Sequence, residues 1–172
     1  NITHTADIVT KWYDNSGWMH HLDSNATPPY YSPDVLNGLP VIDFTSDDQG
    51  LEKNGVNNLF ASDANTFIFV KKSASSSSSG DTWFNCSPLN LSFSFSSSDG
   101  ADFQYGSDTL SGDVALTNDY HIVTGLKKDT TDTNQYIYVD GQMDASHSNP
   151  STLSPGDDDI TLGTAPDGWQ GE

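Results

Sequence analysis

At 172 residues the chain is long enough for one sizeable hydrophobic core, and no break in composition divides it. Its formal charge of −18, from 24 acidic against six basic residues, excludes nucleic acid and anionic membrane as natural partners, because binding phosphate depends on Lys and Arg to neutralise it. The lone Cys86 excludes an intrachain disulfide and a cysteine zinc cluster, and no apolar run approaches the ~20 residues that insert across a bilayer.

Only Glu52 and Glu172 are glutamate, so aspartate supplies the other acidic positions, and arginine is absent. Glutamate, lysine and arginine build solvated helix faces, whereas aspartate, asparagine, serine and glycine favour caps and turns. Strands and loops are therefore expected throughout.

In chain order, "NTFIFVKK" (65–72) sets Phe67 and Phe69 against Ile68 and Val70, which predicts a strand buried on both faces. The serine-rich run 73–80 reads as a flexible loop between strands. In "LNLSFSFSSS" (89–98), Leu89, Leu91, Phe93 and Phe95 share one face and serines line the other, a half-buried strand. "DYHIVTGLKK" (119–128) and "NQYIYVDGQ" (134–142) follow as strands. The second ends on Asp140-Gly141, a tight-turn signal that predicts a hairpin with a short return at Gln142 and Met143. Strands spaced this evenly, with glycine and aspartate between them, predict a sandwich or barrel.

Cations are the counterpart of such a charge, and calcium takes hard oxygen ligands. "SPGDDDITLG" crowds Asp157, Asp158 and Asp159 into a predicted loop before a strand, the first candidate calcium site; "DFTSDDQG", with Asp43, Asp47 and Asp48, is a second. The adjacent His20 and His21 offer imidazoles to a transition metal, but neighbours in a strand point apart. Acceptors for N-glycosylation occur at Asn1, Asn25, Asn85 and Asn90, a number expected by chance in so serine-rich a chain.

A sugar surface needs exposed aromatic rings beside hydrogen-bonding groups. Trp18, Trp83, Tyr136 and Tyr138 are the candidates. In "QYIYVD", Ile137 and Val139 take the core face and leave the two tyrosines together on the other.

"VTKWYDNSG" (9–17), "LNGLPVIDF" (36–44), "TFIFVKK" (66–72), "YHIVTGL" (120–126), "YIYVDGQ" (136–142) and "ITLGTAPDGWQGE" (160–172), in this order and spacing, resemble laminin G-like domains of the concanavalin A-like superfamily. The resemblance implies an all-β jelly-roll sandwich of two antiparallel sheets, with Trp12 and Trp169 in the core. It also implies a further strand after "DGWQGE" and one before the first tryptophan motif. The sequence, one domain over 1–172, is thus expected to be an excerpt of a longer chain, or to receive those strands from a neighbouring chain. Glucanases of this fold carry paired carboxyl groups in an E-x-D-x-E pattern on one strand, and that pattern is absent here, as is a G-x-S-x-G nucleophile elbow.

No enzyme activity is therefore expected. The role expected is a non-catalytic extracellular recognition or adhesion module that binds glycan within a larger surface protein, at a cell or virion surface. The alternative is a structural or assembly module of a virion (decoration or fibre) or cell-surface filament, packed against neighbouring protein subunits.

Overall fold

A computed structural model describes residues 2–46, 48–57, 59–60, 64–72, 82–95, 99–116, 119–128, 134–148, 151–153 and 156–163. Among them all regular structure is strand. The chain opens with β1 (Ile2–Thr5), β2 (Ile8–Trp12), β3 (Leu22–Ser24), β4 (Tyr30–Leu36), β5 (Leu39–Asp43) and β6 (Leu51–Asn57). It continues through β7 (Asn65–Lys72), β8 (Thr82–Ser87), β9 (Leu91–Phe95), β10 (Ala101–Tyr105) and β11 (Asp108–Ser111). It closes with β12 (Tyr120–Lys127), β13 (Asn134–Val139), β14 (Gln142–Ser148) and β15 (Asp157–Leu162).

Every ladder is antiparallel. One sheet runs β11-β10-β9-β8-β15-β6-β3-β2-β4-β5, with β1 attached to β2, and the other runs β14-β13-β12-β7. Together they form the two-sheet jelly-roll sandwich that the period-two patterns predict. The Asp140-Gly141 turn closes the β13-β14 hairpin with both residues left-handed (φ 51° and 78°), as a twisted two-residue connection requires. Its return strand extends to Ser148, beyond the short return expected from Gln142 and Met143.

Phenylalanine fills the space between the sheets. The Phe93 ring on β9 stacks on Phe103 of β10 at 4.4 Å and meets Phe69 of β7, from the opposite sheet, at 4.9 Å. Each such ring, fully buried, contributes about 1.5–3 kcal/mol. Opposite Phe93 the chain carries Gly125: a Cβ there would sit 2.2 Å from the Phe93 ring, so glycine lets β12 approach the core. The buried Gln135 donates from Nε2 to the Phe103 carbonyl at 2.6 Å and ties the sheets together.

Two expectations fail. β7 is not buried on both faces: Phe67 and Phe69 pack inward, but Ile68 and Val70 are 66% and 55% exposed, because nothing covers the outer face of the four-stranded sheet. Nor is 157–159 a loop. Asp159 pairs with Ser87 of β8 while Asp157 and Asp158 pair with Asn57 and Val56 of β6, and ladders on both sides override the poor strand propensity of aspartate.

Candidate functional site

Between β2 and β3 the chain leaves the sheet for residues 13–21, and one carboxylate organises that loop. Asp14 Oδ1 accepts from the Ser16 amide at 2.7 Å, and Oδ2 accepts from Ser16 Oγ at 2.6 Å and the His20 amide at 3.1 Å. These bonds, the Ser16 hydroxyl's foremost, hold the Asp14 carboxyl below its usual range. The Asp14 amide in turn donates to His21 Nδ1 at 3.1 Å, which places the proton of the neutral ring on Nε2, and Tyr13 meets the His21 ring edge-on at 4.9 Å. Gly17, at φ 90°, makes the reversal.

The loop overhangs an open cleft of about 380 Å³ lined by Trp12, Tyr13, Asp14, Ser16 and His20 together with Leu22, Leu59, Ile160 and Leu162. Aromatic faces, one anionic carboxylate, a hydroxyl and an imidazole thus converge on one concave surface. Trp12, expected in the core, is 39% exposed there. The sequence reading missed Tyr13, Asp14 and Ser16. The available signal was the dense run of aromatic and polar residues from 12 to 21.

The four aromatic candidates do not form one platform. Trp18 stands 76% exposed on the same loop but does not line the cleft. Trp83 is a correction: only 4% exposed, it stacks on Phe95 at 5.6 Å inside the sandwich, because β8 is a central strand whose inner face is core. Tyr136 and Tyr138 do lie side by side, 6.1 Å apart, on the outer face of β13, with Ile137 and Val139 buried behind them. Asn134 Nδ2 donates to Tyr136 Oη at 2.9 Å and the Lys128 ammonium lies 5.1 Å from its ring.

The aspartate triplet is split by the strand that contains it. Asp157 and Asp159 face outward, Asp159 accepting from the Gly55 amide at 2.9 Å, while Asp158 turns inward and is buried with neither carboxylate oxygen hydrogen-bonded. The protein layer over Asp158 is thin, yet its oxygens touch no solvent. Burial foremost, then the charges of Asp157 and Asp159, push its carboxyl above the usual range. The three do not form the calcium cage expected of them, and among the described residues no three His, Cys, Asp or Glu side chains converge on a metal position. In the second candidate, Asp48 caps its own turn, accepting from Ser46 Oγ at 2.8 Å and Thr27 Oγ1 at 3.0 Å; Asp47 lies outside the described residues, as does Trp169. Cys86 is buried, with its thiol pushed up to about 12 by burial and by Asp158 and Asp159, so it is inert.

The fold and the surface cleft define a concanavalin A-like jelly-roll domain. Among solved structures the chain is similar to HCR/D-Sa-GBL1/C, with a TM-score of 0.63 over 98% of this chain at 15% identity, and it spans 44% of that longer chain. It is also similar to the heptameric SAP-like pentraxin from Limulus polyphemus (TM-score 0.49, 13% identity, 82% of this chain and 70% of that one). A third likeness is the beta-glucanase of Bacillus licheniformis (TM-score 0.40, 12% identity, 99% and 82%), too slight to bear on catalysis here. No protein-family profile matches the sequence, and no curated protein does.

Proposed function

We propose that this domain is a non-catalytic carbohydrate-recognition module of the laminin G-like kind, working extracellularly within a larger surface protein, and that the sugar lies in the cleft beneath loop 13–21. The observation that carries the reading is the convergence of Trp12 and Tyr13 with Asp14, Ser16 and His20 on one open concavity of about 380 Å³. A pyranose presents an apolar C–H face and a polar rim, and this lining offers a ring for the first and both acceptors and donors for the second. Asp14, already held ionised by Ser16, is a pre-ordered acceptor for sugar hydroxyls. Tyr136 and Tyr138 are the second candidate contact. Glycan-array binding by the wild type, with loss of signal in Trp12→Ala and retention in Tyr138→Ala, is the expected result; no glycan signal from well-folded protein overturns it.

A second reading, a structural or assembly module of a virion or cell-surface filament, draws on the apolar outer face formed by Ile68, Val70, Ile122 and Met143, all exposed. Sedimentation of the purified domain tests it: a monomer at micromolar concentration speaks against that role.

A further inference from the structure

A second concavity, about 390 Å³ and mostly apolar, lies where the two sheets fail to meet. Its walls include four consecutive residues of β7, Ile68 to Lys71, and three consecutive residues of β5, Pro40 to Ile42. Successive side chains of a strand point to opposite faces, so an unbroken run can line one cavity only if the cavity lies along the strand's edge. β5 and β7 are indeed the last strands of their sheets on this side.

The ladder pattern shows which backbone groups face the gap. The Asp140 amide donates to the Ile122 carbonyl, so Ile122 turns its backbone toward β13, and the alternation along β12 directs Val123 toward Phe69 of β7. Phe69 therefore bonds to β12, and the N–H and C=O groups of Ile68 and Val70 point away from it into the cavity. On the other wall the Tyr31 amide donates to the Asp7 carbonyl, so Tyr31 faces β2. Tyr30 then pairs by hydrogen bonds with Asp43, which leaves the backbone of Ile42 pointing outward from β5.

From this juxtaposition we propose that the gap between β5 and β7 is a strand-acceptor groove, which takes an extended peptide segment of a partner protein, apolar at alternate positions and carrying an acidic residue opposite Lys71. Two facing backbone edges select an extended main chain, since no compact ligand offers donors and acceptors in strand spacing to both. The apolar lining selects alternate apolar side chains. The acidic residue follows from charge: two of the chain's six basic residues, Lys71 and Lys72, stand together at the end of β7. A second copy of the chain is disfavoured by the same bookkeeping, because each copy carries −18.

The test is hydrogen exchange with a peptide library. The probes are acetylated, amidated peptides of eight residues, the length of β7, apolar at alternate positions with one aspartate or glutamate. In the free protein the amides of Ile68, Val70 and Ile42 exchange as unprotected groups. Binding peptides slow exchange at Ile68 and Val70 by about tenfold or more. The same peptides N-methylated at alternate amides have no effect. Ile68→Lys, which charges the edge without entering the core, abolishes protection while leaving the melting temperature within a few degrees of wild type. Protection of these amides before any peptide is added means that the protein's own chain already fills the groove and overturns the proposal. So does a library in which no member protects them.

Discussion

Lys71 holds its ammonium 3.6 Å from the ring centroid of Phe95, inside the sandwich, where almost none of the lysine reaches solvent. The Trp83 ring lies 4.0 Å from the same nitrogen. Both rings favour the charged form, but burial outweighs them and lowers the amine to about 6. An unfolded lysine keeps its proton up to about 10.5. Between those two values the unfolded state binds more protons than the folded one, so Lys71 makes stability rise with pH from about 6 to about 10. Lys71→Met removes that slope and raises stability at pH 7 by roughly 2 kcal/mol. Denaturant unfolding of both proteins across this range checks it; equal slopes contradict the buried-amine account.

Gly125 makes room for Phe93, so Gly125→Ala forces a Cβ into a ring that has packed neighbours on both sides. Overpacking of this kind costs about 1–3 kcal/mol. Calorimetry is expected to show a lower melting temperature with the unfolding transition still cooperative.

Asp158 buries two unsatisfied oxygens. Its carboxyl is raised, so its contribution to stability is greatest at low pH, below the ordinary carboxylate range, and is lost as pH rises through the raised value. Asp158→Val, similar in volume, is expected to gain about 1 kcal/mol or more at pH 7, the penalty of an unpaired buried polar group. The comparison is made in EDTA and in millimolar calcium. A variant that loses stability relative to wild type only in calcium shows that Asp158 takes part in holding the ion.

Asp14 orders loop 13–21 through the Ser16 and His20 amides. Asp14→Ala releases both, and exchange at those amides is expected to accelerate by about tenfold while the amides of β9 and β10 are unaffected. Unchanged exchange at His20 contradicts the organising role of this carboxylate.

The strands most legible in the sequence were those with one clean apolar face. Leu91, Phe93 and Phe95 alternate with serine, and Ile137 and Val139 with tyrosine, and all five are buried as the period predicts. β7 misled because its outer residues, Ile68 and Val70, are as apolar as its inner ones, and periodicity cannot tell a covered face from an uncovered one. β15 misled in the opposite sense: its aspartates read as turn chemistry, while pairing on both sides, a long-range effect, made them a strand. The cleft was illegible for a similar reason. Leu59, Ile160 and Leu162 come from sequence far from Trp12, and only the topology brings them beneath loop 13–21.

Carbohydrate recognition in that cleft is tested most directly by the four tryptophan indole N–H signals in a ¹⁵N–¹H spectrum, titrated with a glycan that the array identifies. The account predicts that the Trp12 indole shifts with saturation, while the Trp83 indole in the core stays in place. Saturable shifts confined to residues of the β13 face, with Trp12 unmoved, contradict it.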